Sequence, residues 1–221
     1  MNKPQKIYLI HAGMISVMPA HLSFQKHWPD ARFFDLLDGS LVMDMKEQPV
    51  LTPSMMKRFE LLGDYCANAD ATGVLFTCSA FGEAIDRIKQ KHAFPVLTPT
   101  EALFEDVLDI KGKVALVVTF GPSVSGLMTE LEKMAVIKRR TLDIDPFVVE
   151  DAIDALFKDD HETHNRLIAE KAATLKGYEA IVFGQFTMSP AAQQAQLLTA
   201  TPILTTPDSA VKKLKHILTR F

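Results

Sequence analysis

Cys78 and Gln185 occupy matching positions in two halves of this chain, and their side chains can do different chemistry. Adding 107 to a residue number in the first half gives its counterpart in the second, and this offset matches three segments to three others: 7–10 to 114–117, 73–78 to 180–185, and 95–98 to 202–205. Three matches at one offset, without a gap, indicate an internal duplication. A thiol can attack carbon or exchange a proton, whereas an amide donates and accepts hydrogen bonds. The pairing therefore predicts unequal roles for the two halves.

Cys78 is the strongest candidate for a reactive group. It follows the strand-like run Gly-Val-Leu-Phe-Thr at 73–77, which places it at a strand end near a helix N-terminus, where a thiolate is stabilised and its pKa is lowered. The alternative is a small buried hydrophobic side chain. Cys66 belongs to an apolar pattern with helical spacing, together with Phe59 and Leu62, and we predict that it packs in the core.

His11 is the candidate partner of Cys78. It closes the first predicted strand, and in a doubly wound sheet the first strand lies beside the third. A Cys–His pair allows acid–base or nucleophilic chemistry; alternatively, His11 only hydrogen-bonds to a loop. His161 and His164 share a predicted helix, but no third ligand is evident, so we predict a solvated face and no metal site.

Short β-branched and aliphatic runs alternate with longer helical patterns, which predicts parallel sheets built from βαβ units. The predicted strands are 6–11, 31–36, 73–78, 95–97, 113–119, 138–143, 179–184 and 202–204. The predicted helices are 16–27, 53–69, 81–91, 100–109, 123–135, 147–157, 161–176, 188–199 and 208–219. We therefore expect an α/β fold of two pseudo-symmetric halves, each a four-stranded parallel sheet flanked by helices, with the active site in the cleft between them. The predicted halves are 1–98 plus 206–221, and 99–205.

Ligands of parallel α/β sheets collect beyond the carboxyl ends of the strands. Four segments of small or hydroxyl residues are expected there, at 11–13, 77–80, 119–123 and 184–188. Their backbone amides can hold a carboxylate without a lysine or arginine. The motifs at 98–101 and 205–208, with Thr98 as a helix N-cap in the first, either start helices or help to bind an anion.

Several apolar residues near these segments have an open role. Phe81, Phe120 and Phe186 either contact an apolar substituent of the ligand or pack beneath the site. A group of methionines is predicted to fill the core: Met43, Met45, Met55 and Met56.

Composition excludes several classes of function. The chain has 221 residues, of which 48% are hydrophobic and 23% charged, and a net charge of −3, which argues against nucleic-acid or membrane-surface binding. No apolar run approaches the roughly 18 residues that span a bilayer. The N-terminal residues lack the apolar core of a signal peptide, and two cysteines in predicted regular elements resemble cytosolic free thiols. We expect a cytoplasmic protein without nucleic-acid or membrane partners.

The duplicated α/β halves and the Thr-Cys-Ser sequence at 77–79 resemble the aspartate/glutamate racemase superfamily, which includes hydantoin racemase, maleate isomerase and arylmalonate decarboxylase. The resemblance covers essentially the whole chain and is closest to a branch with Phe-Thr-Cys-Ser-Ala-Phe-Gly at 76–82, Gln-Phe-Thr-Met at 185–188 and Thr-Thr-Pro-Asp-Ser-Ala at 205–210. It implies a small carboxylate ligand held between the halves, no metal or organic cofactor, and a homo-oligomer.

The resemblance also implies roles for individual residues. Racemases of this family use one cysteine on each half, on opposite faces of the substrate's α-carbon. The first corresponds to Cys78, but Gln185 stands in place of the second, so symmetric two-thiol racemisation does not carry over. His11 is then the first choice for the second acid. Substrate-binding roles fall to the amides and walls around the two positions: Ser79, Ala80, Thr119, Ser123, Phe186 and Thr187.

Four functions remain open at this point. The first is a cofactor-independent racemase or isomerase of a small carboxylate, such as an amino acid, with Cys78 as base or nucleophile and Gln185 as a hydrogen-bond donor. The others are a carboxylate-binding protein on a racemase scaffold, a hydrolase that uses Cys78 and His11, and a decarboxylase.

Overall fold

The structure, a computed structural model, describes residues 5–48 and 50–220, apart from the side chain of Lys46. The strands within these residues are β1 to β8: Ile7–His11, Phe33–Leu37, Gly73–Phe76, Val96–Leu97, Val114–Val118, Ile144–Val148, Ala180–Phe183 and Ile203–Thr205. The helices in the same described ranges are α1 to α10: Val17–His27, Ser40–Glu47, Pro53–Asn68, Gly82–Lys91, Glu101–Asp109, Ser123–Lys138, Glu150–Phe157, His161–Thr174, Ala192–Leu198 and Thr206–Thr219. Three short 3-10 turns precede α1, α4 and α9: Met14–Ser16, Ser79–Phe81 and Phe186–Ala191.

The strands form two four-stranded parallel sheets flanked by helices, as the sequence predicts. Their orders are β2-β1-β3-β4 and β6-β5-β7-β8. The central strands β1, β3, β5 and β7 are buried throughout, which explains why they are apolar at successive positions rather than at alternate ones. Each unit's core packs its helices against these strands.

Three strands of each sheet pair in matching registers. Ile7 lies opposite Gly73 in the first sheet, and Val114 lies opposite Ala180 in the second. The same correspondence holds one strand further out, where β3 pairs with β4 and β7 pairs with β8. The offset of 107 therefore relates hydrogen-bonded pairs as well as residue types.

The strand predicted at 138–143 is wrong. The offset carries β2 onto residues 140–144, whereas β6 is Ile144–Val148. Helix α6 continues to Lys138 and ends at Arg139, which is left-handed at φ 52, so the residues assigned to the strand complete and leave the helix. β6 contains Pro146, which lacks an amide hydrogen and is tolerated because β6 is an edge strand.

One other prediction about local structure is wrong, and one helix was not predicted. The N-cap residue of α5 is Thr100 rather than Thr98. The Thr100 hydroxyl makes no hydrogen bond to the helix amides and instead donates to the Glu130 carboxylate at 2.8 Å. In addition, the sequence did not predict α2, the helix that follows β2. Helix α3 does begin as its sequence indicates: Thr52 accepts a hydrogen bond from the Met55 amide, and Pro53 occupies the first turn.

The chain divides into two compact units. The first unit takes in the described residues up to Pro99 and those from Ala210 onward, and the second is Thr100–Ser209. The domain boundaries predicted from the sequence stay a prediction. Residues 1–4, 49 and 221 of those predicted domains lie outside the described part of the chain. None of the helices described is both long and apolar enough to cross a bilayer.

Candidate active site

In the first unit, Cys78 lies just beyond the carboxyl end of β3. Its backbone is extended at φ −127 and ψ 121, and it directly precedes the 3-10 turn Ser79–Phe81. The Cys78 side chain is partly exposed, and Ser79 and Ala80 are exposed. The sequence places the thiol and the two candidate binding residues at one edge of the sheet, and the structure does the same.

The electrostatic setting of Cys78 differs from the expectation. Burial raises the pKa of the Cys78 thiol, and a hydrogen bond from the Ala80 backbone amide only partly opposes this effect. The 3-10 turn after Cys78 leads directly into α4, so the predicted helix N-terminus is present, but burial is the larger influence on the thiol. The resting side chain is therefore a neutral thiol at pH 7, and its deprotonation must precede any reaction of the thiolate.

His11 ends β1 and is fully buried. Nε2 lies 3.0 Å from Asp35 Oδ1, and Nδ1 lies 2.9 Å from Thr77 Oγ1 and 3.2 Å from Ser16 Oγ. An ionised carboxylate can only accept, so Nε2 carries the proton in the neutral ring and Nδ1 accepts from a hydroxyl. Burial lowers the pKa of His11, although Asp35 acts in the opposite direction, and the neutral ring is favoured.

This buried network includes residues that the sequence analysis missed. Asp35 also accepts from the partly exposed His21, at 2.8 Å, and the hydroxyls of Ser16 and Thr77 are 2.8 Å apart. A carboxylate in the otherwise apolar strand Phe33–Leu37 was the available signal, because such a group needs a polar partner. Both nitrogens of His11 have protein partners, so a proton from His11 could reach a ligand only through a hydroxyl.

In the second unit, Gln185 lies beyond the end of β7 in the conformation that Cys78 has in the first. Its backbone is extended at φ −131 and ψ 144, and a 3-10 turn follows directly. Gln185 Oε1 accepts hydrogen bonds from the amide and the hydroxyl of Thr119, at 2.7 Å and 2.9 Å. The backbone amide of Thr119 must donate, which fixes the oxygen of Gln185 on this side. The Gln185 amide nitrogen is the part of the side chain left to donate to a ligand.

The other candidate residues of the second unit have unequal access. Phe186 is buried at 4% exposure, and Thr187 is half-buried. The Ser123 hydroxyl donates to the Phe120 carbonyl at 2.7 Å, so it stabilises the loop after β5. Phe120 itself is exposed. The structure thus brings Thr119 and Gln185 into contact and turns the Phe186 ring into the core.

The remaining candidate residues separate into core and surface. Cys66 is fully buried, as predicted, and burial raises its pKa to about 12. His161 is exposed, but His164 is 1% exposed, so the prediction of a solvated face is wrong for His164. Its position on α8 turns it towards the core between helices. Within the described residues, no three His, Cys, Asp or Glu side chains form a group that could hold a metal ion.

The architecture and the strand-end residues define a duplicated parallel α/β protein with a different polar group at each of two equivalent positions. Residues 26–214 match the model of the Asp/Glu/Hydantoin racemase family, and the chain belongs to this family. The comparison with curated protein sequences gives no match.

Solved structures with the same fold are distant in sequence. Glutamate racemase RacE1 from Bacillus anthracis has a TM-score of 0.68 at 12% identity, over 98% of this chain and 82% of that one. Allantoin racemase from Klebsiella pneumoniae has a TM-score of 0.69 at 14% identity, over 97% and 87%. An aspartate racemase homologue from Pyrococcus horikoshii has a TM-score of 0.63 at 14% identity, over 98% and 100%. At these identities the likeness shows the fold.

Proposed function

We propose that this protein is a cofactor-independent enzyme of the racemase or isomerase type that acts on a small carboxylate, with Cys78 as base or nucleophile. Family membership supports a racemase-type reaction. The names of the structural neighbours, which are glutamate and allantoin racemases, support a small substrate. The exposed amide-rich turn beside Cys78 supports recognition of a carboxylate without a lysine or arginine.

The observation that carries the proposal is the matched backbone at Cys78 and Gln185. Both residues are extended, both leave the second central strand of their sheet, and both precede a 3-10 turn. One position holds a group that exchanges protons and the other a group that only donates and accepts hydrogen bonds. The two positions are therefore proposed to have different roles, with the thiol in a chemical step and the amide in hydrogen bonding.

In the proposed reaction the Cys78 thiolate removes the proton from the α-carbon. The C–H bond breaks, an S–H bond forms, and the electron pair moves into the carboxylate to give an enediolate. The backbone amide of Ser79, in the turn that follows Cys78, is a donor to its oxygens, while the Ala80 amide donates to the thiol itself. Donors aimed at developing negative charge commonly contribute several kcal/mol.

Completion of a racemisation requires a proton from a second acid. His11 is our candidate, although Nδ1 of the neutral ring must first take up a proton. Because the ring is buried and both nitrogens are bonded, we propose that Nδ1 then passes its proton to the hydroxyl of Thr77 or Ser16 while that hydroxyl gives its own proton to the α-carbon. If Cys78 instead adds to a double bond, rotation and expulsion of the thiolate complete an isomerisation without a second acid. A cytoplasmic location and a homo-oligomeric state stay predictions.

A carboxylate-binding protein on the same scaffold is the second candidate. The raised pKa of Cys78 favours it, because a neutral thiol is a poor base. Hydrogen–deuterium exchange separates the two candidates. The protein is incubated in deuterated buffer with a panel of amino and hydroxy acids, and α-proton loss is followed by NMR. We expect exchange for at least one acid, with loss of exchange in Cys78→Ser.

A negative result is also informative. Absence of exchange over the whole panel, together with carboxylate binding and slow alkylation of Cys78, would support the binding protein. Retention of exchange in Cys78→Ser would rule out Cys78 as the base.

A further inference from the structure

The hydroxyl pair near Cys78 fixes the position of a second short segment. The Ser16 and Thr77 hydroxyls are 2.8 Å apart in a buried contact. Ser16 ends the 3-10 turn Met14–Ser16, and Thr77 directly precedes Cys78. This hydrogen bond therefore holds the turn after β1 against the segment that carries the thiol, at the carboxyl edge of the sheet in the first unit.

The side chains that this turn exposes are apolar. Met14 is 67% exposed and Ile15 is 40% exposed. Helix α2 lies beside the turn, because a Cβ atom on Gly13 would come within 3.2 Å of a Val42 methyl group. The next residue of α2, Met43, is 55% exposed, although the sequence predicted it as core. Large apolar residues exposed on a turn that is held against the Cys78 segment are candidates for a recognition surface.

Arg58, the arginine that contacts α2, is already paired. It donates to the carboxylates of Asp38 and Asp44, each at 2.5 Å, which ties α3 to α2 and to the end of β2. The segments that leave β1 and β3, residues 12–16 and 77–81, contain no lysine or arginine. A second carboxylate of a ligand would lose its hydration against thioether and alkyl groups, and neither these segments nor Arg58 would supply a cationic partner.

The second unit repeats this character at the equivalent loop. The turn after β5 presents Phe120 at 47% exposure, whereas Phe81 and Phe186 are buried. Of the three phenylalanines that the sequence left ambiguous, one is thus accessible to a ligand and two pack beneath their turns.

We propose that Met14, Ile15 and Met43, hereafter the apolar wall, select a monocarboxylate with an apolar substituent over a dicarboxylate. The inference rests on the proposed function, because it concerns the substrate of the same thiol. The ligand's single carboxylate binds the turn amides, and its substituent lies on the apolar wall.

The test measures how ligands protect Cys78 in the full chain from iodoacetamide at pH 9, with alkylation of Cys78 quantified by peptide mass spectrometry. The two probes are 4-methylpentanoate and glutarate. We expect 4-methylpentanoate to protect at a concentration at least ~10-fold lower than glutarate, since small differences in apolar contact give discrimination of this order.

An introduced positive charge and a matched control test whether the ligand's substituent lies on the apolar wall. Met14→Lys is expected to weaken protection by 4-methylpentanoate and to strengthen protection by glutarate. Leu61→Lys places the same charge on α3 of the same unit, at a residue of 52% exposure, and should leave both unchanged.

The possible failures are distinct. Protection by glutarate at an equal or lower concentration would overturn the apolar wall and leave the proposed function intact, as would equal effects of the two lysine variants. Lack of protection by either acid, with no α-proton exchange across the panel of amino and hydroxy acids, would overturn α-proton removal by Cys78 and this inference with it.

Discussion

The two units have the same sheet order, and β1 pairs with β3 in the register in which β5 pairs with β7, yet the units differ at the one position where chemistry is expected. Cys78 and Gln185 have nearly the same backbone conformation. The thiol is partly exposed and its partner is a backbone amide, whereas Gln185 is held by two hydrogen bonds from Thr119. A shared frame thus supports a group that can gain and lose a proton in one unit and a fixed donor in the other.

The difference extends one layer below the surface. In the first unit Thr77 bonds to the buried imidazole of His11. In the second, the counterparts are Gly184 and Val118, and a Cβ on Gly184 would lie 3.1 Å from a Val118 methyl group. The residues behind the thiol are therefore polar, whereas those behind the amide of Gln185 are apolar. The two units have therefore diverged in what lies behind the reactive position as well as in the residue there.

The largest expected effect is the loss of the thiol. Cys78→Ser replaces a thiol by a hydroxyl, which is a far weaker acid, so we expect the α-proton exchange rate to fall by about 10³-fold, within the range typical of a lost acid–base group. The measurement is deuterium incorporation into the best substrate of the panel.

Cys66→Ser is the matched control for this change. Cys66 is fully buried in the core of the same unit, so the substitution should lower the free energy of unfolding by about 1–3 kcal/mol and leave the exchange rate of the folded protein unchanged. Equal losses of exchange in both variants would indicate a general structural effect.

The next effect comes from the amide of the other unit. Gln185→Leu removes the donor and leaves the amide and hydroxyl of Thr119 without their acceptor. We expect the free energy of unfolding, measured by urea denaturation, to fall by about 1–3 kcal/mol, as for buried donors left without an acceptor. Thr119→Val keeps the backbone hydrogen bond to Gln185 and should cost less. A larger loss in Thr119→Val than in Gln185→Leu would contradict the role of Gln185.

The sequence predicts much of the frame and less of the network behind it. The offset locates β1, β3, β4 and their counterparts, because the central strands among them are buried and apolar in both halves. The offset fails at β6, because the preceding helix α6 has 16 residues whereas its counterpart α1 has 11. In addition, the register of an edge strand is weakly specified by its sequence. The spacing of 107 residues alone identifies Cys78 and Gln185 as counterparts.

The partners of His11 are not readable in that way. Asp35 lies on a neighbouring strand and Ser16 on a turn, so their contacts with His11 depend on register and turn geometry. The exposure of Met43 likewise depends on where α2 packs, and the sequence did not predict that helix. Tertiary placement, rather than residue type, decided each of these cases.

The third effect concerns stability and its dependence on pH. His11→Val installs the residue of the second unit and removes the bonds to Asp35 and Thr77, so we expect a loss of about 2 kcal/mol in the free energy of unfolding at pH 7.5. The folded pKa of His11 is lowered by burial. The neutral ring therefore contributes its full stability above the ordinary histidine pKa of about 6.5, and this contribution is lost as the pH falls below it.

Urea unfolding from pH 8 to pH 5 tests this sign. The difference between the parent and His11→Val should be largest at high pH and should narrow on acidification. Burial also lowers the pKa of His164, but His164 is present in both proteins, so the difference isolates His11. A gap that widens at low pH would mean that His11 is charged in the folded protein.

The smallest effect tests the apolar layer of the second unit. In Gly184→Ala the new Cβ would lie 3.0 Å from Leu116 and 3.1 Å from Val118, which is too close without side-chain movement, so we expect a loss of about 1 kcal/mol. Gly126→Ala, on α6 with no atom within 4 Å of its Cβ, should instead gain up to about 1 kcal/mol. If Gly184→Ala were as stabilising as Gly126→Ala, the second unit would have room for a side chain where the first holds Thr77. The absence of the threonine would then need an explanation other than packing.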